Sequence, residues 1–345
     1  MIKRPYLLYL GSGDDPLSVK TAQGIMTWRP DFVVGETTNN GSTITVGAKR
    51  MTISEGAKRG AKTLVLGYAN GGGVIESSHL EDIVQALELG MDVASGMHHA
   101  LQDHKQVEQA ALRNNRTLHN VRQTDQIFKV GTGEKRSGNR VLAVGTDCSV
   151  GKMFTTLAMH KDMVARGVKA DFRATGQTGI FIAGTGVPVD AVIADFISGS
   201  VEALSPSRED GGWDIIEGQG SLFHPAYAGV SLGLLHGAQP DHLVMCHQPH
   251  REHMRNLPGR DVPDIEECME ANLWAAKTVN PNVKLSGIAL NTRHMDEDSA
   301  KRICMELEEK FDLPCQDPMR HGVERIVDRV LFLKHQSYSV SLADE

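Results

Sequence analysis

Residues 140–156 read RVLAVGTDCSVGKMFTT. An apolar run of strand character enters a glycine-bounded loop, and the loop ends in Gly151 and Lys152 where helical sequence begins. This order constrains the fold more than any other feature of the chain. A strand that feeds a helix through such a loop belongs to an open α/β sheet, with the loop beyond the strand's carboxyl end. Glycines let backbone N–H groups converge on an anion. The helix amino end adds partial positive charge, and Lys152 adds a full one. The segment is built to hold phosphate. Its spacing, Gly145, five residues, Gly151, Lys152, is one residue longer than G-x-x-x-x-G-K.

Met153 is the anomaly. A loop that cleaves phosphate carries Ser or Thr after the lysine to hold Mg²⁺. A thioether does not replace that hydroxyl, because Mg²⁺ takes oxygen ligands. Thr155 and Thr156 point elsewhere, since successive helical positions turn by about 100°. The expectation is a phosphate-bearing ligand that is held and not cleaved: coenzyme A, a regulatory nucleotide or a phosphorylated substrate. Its expected contacts are Gly145, Thr146, Asp147, Cys148, Ser149, Val150, Gly151, Lys152 and Met153. Asn291, at a strand end, joins them as a reader of adenine. Glu217 ends another strand, where a phosphate-loop enzyme places an acid beside the phosphates.

The remaining sequence alternates apolar strands with amphipathic helices, which predicts an α/β protein with parallel sheets. Expected strands span 6–10, 31–35, 63–67, 91–96, 140–145, 169–175, 213–217, 241–246 and 284–291. Expected helices cover about 16–28, 78–89, 151–166, 190–204, 263–279 and 300–311. Asp15 is the expected cap of the first, with Pro16 opening it. YANGGG (68–73) reads as a flexible loop. GTGEKRSGNR (131–140), rich in glycine and charge, reads as a linker, dividing the chain into domains 1–135 and 136–345.

Bulk properties remove other classes. A chain of 345 residues, 40% hydrophobic, buries real cores. A net charge of −7 argues against a nucleic-acid partner. No stretch is apolar enough to cross a bilayer, and the run near the amino terminus is too short for a secretory leader. Five cysteines, none in C-x-x-C spacing, argue against a disulfide framework or structural zinc and for the cytoplasm. His247, His250 and His253 tempt a zinc reading. Pro249 puts their start in a loop, and the third position drifts off the shared face, so no metal is expected.

The wording Gly-Thr-Asp-x-x-Val-Gly-Lys is similar to dethiobiotin synthetase. A closer resemblance follows from GTDCSVGK, ATGQTG (174–179) and above all EGQGSLFHPAYAGVSLGLLHGAQPDHLVMCHQP (217–249). With GSGDDP and SGMHHAL (95–101), these resemble the P-loop D-glutamate N-acetyltransferase family, formerly a domain of unknown function. The resemblance implies a Rossmann-like N-terminal domain followed by a P-loop NTPase-like α/β domain with a mostly parallel sheet. It implies acetyl transfer from acetyl-CoA, as co-substrate, to the amine of D-glutamate. No metal is required, and the chain pairs as a homodimer by analogy with Rossmann-like enzymes. Coenzyme A must be gripped by its phosphates and not hydrolysed, which suits Met153.

Acetyl transfer needs a base for the ammonium, donors for the oxyanion and cations for the carboxylates. His224 or Glu217 is the expected base. Arg251, then Arg173, is the expected partner of the substrate carboxylates. Gln177 and Thr178 of ATGQTG are expected at the substrate. Cys148 is a possible nucleophile, set against simple loop packing, and Asp190 reads as a helix cap. The main rival is a Mg-ATP-dependent ligase or kinase resembling dethiobiotin synthetase, with Asp147 and Glu217 on the metal. A nucleotide-sensing protein without turnover is the third reading.

Overall fold

The computed structural model describes residues 2–13, 16–39, 41–68, 73–124 and 126–341. The expected cap at Asp15 and most of the 68–73 loop lie outside these residues. The chain forms two compact units: Met1–Gln126 with Gly176–Ala191, and Ile127–Thr175 with Val192–Glu345.

The first unit holds β1 (Tyr6–Tyr9), α1 (Lys20–Trp28), β2 (Val33–Thr37), α2 (Ile53–Lys58) and β3 (Thr63–Leu66). It continues with α3 (Leu80–Glu88), β4 (Asp92–Ser95), α4 (Lys105–Asn114) and β5 (Leu118–Asn120). The strands pair in the order β2-β1-β3-β4-β5, all parallel. Strands buried on both faces read as unbroken apolar runs, and every residue of YLLY in β1 is buried. Helix α2 was not expected. It starts at a capping box, in which Thr52 accepts from the Glu55 amide and Glu55 reaches back to the Thr52 amide.

The second unit opens with β6 (Asn139–Gly145), α5 (Lys152–Ala165) and β7 (Ala170–Arg173). The chain then gives α6 (Gln177–Ala183) to the first unit. It resumes with α7 (Ile197–Leu204), β8 (Trp213–Ile216), α8 (Ala228–Ala238), β9 (His242–His247), α9 (Ile265–Lys277) and β10 (Lys284–Leu290). The last elements are α10 (Glu297–Phe311), β11 (Cys315–Gln316) and α11 (Glu324–Ser341). Its parallel sheet has the order β11-β10-β9-β6-β8-β7. β6 leads through α5 to β7 on one side, and its neighbour β9 leads through α9 to β10 on the other, so a topological switch point falls between the carboxyl ends of β6 and β9.

Three expectations change. The helix drawn over 190–204 is two short 3-10 turns followed by α7, and Asp190 sits within the first turn, not as a cap. The run ATGQTG, expected to present substrate donors just beyond a strand, opens α6. The segment read as a loose linker is fastened to its own unit. The Thr132 and Gly133 amides donate to Glu202 at 2.9–3.0 Å, and Arg136 donates to the Glu202, Ser205 and Gly237 carbonyls. All five cysteines are free thiols. Among the described residues, no helix is long and apolar enough to cross a membrane.

Asp214 of β8 is fully buried. It accepts from Arg173 Nε at 2.9 Å, Arg208 at 2.8 Å and Ser205 Oγ at 2.6 Å. Removing a buried carboxylate strands the cations around it. Asp214→Ala should cost about 3–5 kcal/mol in a urea melt. Asp210→Ala, which removes an exposed partner of Arg208, should shift the midpoint little.

Candidate functional site

The loop leaves β6 between the carboxyl ends of β9 and β8. Thr146 ties it to β9: its amide donates to the Cys246 carbonyl at 3.1 Å, and its hydroxyl meets His247 Nδ1 at 3.0 Å. Burial drives the His247 pKa down to about 4, so this ring is neutral at pH 7. Ser149 and Gly151 have φ of 57° and 112°, a left-handed backbone that curls the loop before α5. Lys152 is the first residue of α5 and is only 6% exposed. Its Nζ folds back to donate to the Asp147 carbonyl at 2.8 Å. Burial lowers the ammonium's pKa, opposed by Cys148, Cys246 and Asp147. The Thr155 hydroxyl donates to the Gly151 carbonyl, and that of Thr156 to Lys152 and Met153. Both threonines bond their own helix backbone, and the position after Lys152 presents a half-buried thioether.

Asp147 organises the outer side of the loop. It is fully buried, and its carboxylate accepts from the Cys148 amide at 2.6 Å, Arg251 at 2.6 Å and the Arg255 amide at 2.7 Å. The Arg251 guanidinium also donates to the Cys148 carbonyl at 2.7 Å, the Ser149 carbonyl at 3.2 Å and Gln248 Oε1 at 2.7 Å. Drawing carbonyls outward favours amides turned inward, which is the polarity an anion needs. Arg251 was expected on a substrate carboxylate. Here it is committed to the loop, because the buried Asp147 requires a countercharge.

Glu217 follows β8 and is buried. It accepts from the Thr175 amide at 2.9 Å, and its carbonyl accepts from the Thr175 hydroxyl at 2.6 Å. Next comes Gly218, where a Cβ would fall 1.7 Å from the Ala143 carbonyl of β6, so only glycine lets the two strand ends approach. Ser221 Oγ donates to the Thr146 carbonyl at 3.0 Å. His224 is buried and stacks on Tyr227, with ring centroids 4.5 Å apart. Its Nδ1 accepts from the Ala226 amide at 3.3 Å, so Nε2 carries the hydrogen and donates to the Arg255 carbonyl at 3.0 Å. A ring with both nitrogens on backbone is a brace, which departs from the expectation of a base.

Asp147, Cys148 and His224 bring one donor atom each within 4.8 Å of one another. The carboxylate oxygens and ring nitrogens already serve hydrogen bonds, so the set fits a packed loop better than an ion site. Among the described residues, His247, His250 and His253 form no such cluster.

Asn291 follows β10, and its amide donates to the His247 carbonyl at 2.9 Å. Its Cβ lies 3.8 Å from where a Cβ on Gly151 would stand, so it borders the loop. Arg173 does not join this group; its guanidinium serves Asp214 and Asp171. Gln177 and Thr178 lie in the first unit. The Gln177 side chain rests against Gly96, and the Thr178 hydroxyl donates to that of Thr21 at 3.2 Å. Sequence reasoning passed over Gly218, Ser221 and Arg255. The first two lie inside the run 217–249, but nothing in their local pattern marks their contacts.

The fold and loop define a two-domain α/β protein with a Rossmann-like half and a phosphate-loop half. The family described as "Domain of unknown function (DUF1611_C) P-loop domain" matches residues 129–327, and its companion Rossmann-like domain (DUF1611_N) matches 33–124. The chain belongs to this family. It is similar to a D-glutamate N-acetyltransferase of Tritonibacter scottomollicae, 51% identical over 95% of this chain and 98% of that protein. A protein of the same name from a Pseudoalteromonas species is 50% identical over 94% and 98%. These relatives place the chain among the acyltransferases. A solved DUF1611 family protein from Anabaena variabilis superposes with a TM-score of 0.87, at 29% identity over 95% of this chain and 99% of that one.

The Arg251 contacts yield a discriminating measurement. If the loop holds coenzyme A, Arg251→Ala should weaken its binding by about tenfold or more in calorimetry, because the loop loses its outer clamp. Had Arg251 held substrate, the loss would fall on the amino acid instead.

Proposed function

We propose that this protein transfers the acetyl group of acetyl-CoA to the amine of D-glutamate, and that the phosphate loop anchors coenzyme A without cleaving it. One observation carries the reading: a complete strand-loop-helix phosphate cradle in which Lys152 is followed by Met153, with both nearby threonines bonded to their own helix. Phosphoryl transfer uses Mg²⁺ to bridge and neutralise phosphates. Anchoring needs only the loop amides, the amino end of α5 and Lys152. On this reading Asn291, which borders the loop, would meet the adenine edge. The acidic amino acid is the substrate named for relatives at 50% and 51% identity.

In the reaction the free amine attacks the thioester carbonyl. The carbon–nitrogen bond forms, the oxyanion collapses, and the carbon–sulfur bond breaks. Between ammonium and amide the nitrogen loses two protons: the first leaves through the base to solvent, and the second, released once the carbon–nitrogen bond has formed, goes to the departing thiolate. The pantetheine arm separates the phosphates of coenzyme A from its sulfur. A group beside the loop therefore works at the phosphates and not at the acetyl carbon. On this reading Glu217 and His224 hold the cradle in shape, and Cys148 is a loop residue. The base lies where the thioester ends.

The test is thiol release from acetyl-CoA. It should appear with D-glutamate, be absent without it, and be unchanged by EDTA. No release across a panel of acidic amino acids would end the proposal. EDTA-sensitive, ATP-dependent turnover would favour the ligase reading. Met153→Thr should leave acetyl transfer intact and confer no ATP hydrolysis, measured as phosphate release.

A further inference from the structure

The proposed substrate has two carboxylates and an ammonium, and Arg251 and Arg173 each serve a fully buried carboxylate, Asp147 and Asp214, that cannot be left unpaired. The first unit offers a different arginine. A cleft of about 470 Å³ lies among residues following β5 and residues following α6. Gln123, Thr124, Gln126 and Thr185 give it amides and hydroxyls, and Ile180 and Pro188 give it apolar wall. Val121 also lines it, and the Val121 amide donates to the Ser95 carbonyl at the end of β4. The cleft therefore sits at the carboxyl ends of parallel strands, where open α/β sheets bind ligands. Its size suits a small molecule.

Arg122 stands in sequence between the lining residues Val121 and Gln123; neither it nor Asp190 is itself one of the lining residues. Its guanidinium donates to the His98 ring, which follows β4, and forms an ion pair with Asp190 at 3.2 Å. Asp190 comes two residues after Pro188. Arg122 Nε is buried and has no hydrogen-bond partner among the described residues. A buried donor without an acceptor is costly, so the chain leaves this guanidinium incompletely satisfied. A guanidinium next to a carboxylate is the complement of an amino-acid zwitterion: the first takes the carboxylate, the second the ammonium. The amides and hydroxyls suit a second carboxylate.

We propose that the first unit binds the acidic amino acid in this cleft, with Arg122 on a carboxylate and Asp190 on the ammonium. The assignment rests on the acetyl-transfer reading for the identity of its ligand. It also accounts for a segment of the later sequence, 176–191, packing with the first unit, since that segment supplies one wall and Asp190.

Calorimetry of the full chain with D-glutamate tests the cleft, and thiol release tests the reaction. Arg122→Gln should weaken D-glutamate binding by about tenfold or more and leave coenzyme A affinity unchanged. Arg122→Lys should recover part of the loss, because it restores charge but not the fork. Thr185→Val, on the other wall, should weaken binding several-fold and carries the test if Arg122→Gln does not fold. Wild-type affinity for D-glutamate in Arg122→Gln and Thr185→Val, with thiol release intact, would overturn the cleft and leave the activity standing. Binding that needs Arg122, without thiol release, would keep the cleft and reject the activity.

Discussion

Everything at the candidate site depends on one buried carboxylate. Asp147 sits inside the turn between β6 and α5, out of water, and must be paired there. Arg251 pairs it and also takes the Cys148 and Ser149 carbonyls. The Arg255 amide completes the set, and the Arg255 carbonyl holds the His224 ring. One charge thus couples the loop, the segment after β9 and the segment after β8. The anion cradle is the inner side of this structure.

The same network limits what the loop can do. A metal-assisted phosphate cleaver needs oxygen ligands free to reach Mg²⁺. Here the Asp147 oxygens are engaged, the Glu217 carboxylate accepts the Thr175 amide, and Met153 stands at the hydroxyl position. A cradle whose nearby carboxylates are engaged can still hold a phosphate-bearing carrier. On the proposed reading the carrier is coenzyme A, whose reactive end lies far from its phosphates, so the groups at the loop would not be the groups that transfer the acetyl group.

The legible parts of the chain were those with strong local patterns. Nine runs were expected as strands, and each overlaps one; those buried on both faces, such as β1, must be continuously apolar. Among the described residues seven helices and strands escaped, α2, α4, α6, α8, α11, β5 and β11, and three of them show why. Helix α8 reads AGVSLGLLHGA, whose glycines lower helix propensity. It forms because it packs on α7 so tightly that a Cβ on Gly237 would fall 2.2 Å from the Ser198 carbonyl. Helix α6, at seven residues, is too short for a periodic signal. The short strand β5 is half-buried and lacks an apolar run. The functional residues divide in the same way. Lys152 and its glycines announce themselves by spacing. Arg251 and Arg122 are ordinary arginines until their neighbours are known, and nothing local indicates that Arg251 serves the loop.

The sequence by itself determined the α/β class, the parallel sheets, the phosphate loop and the absence of a hydroxyl after Lys152. These follow from period, spacing and residue chemistry within a few residues of chain. Only the tertiary structure decided what each charged group faces. It put Arg251 on Asp147, Arg173 on Asp214, both nitrogens of His224 on backbone, and the 176–191 segment with the first unit. The physical reason is that burying a charge or a polar ring demands a partner. The partners here lie tens of residues away along the chain and meet only when the strands are laid side by side.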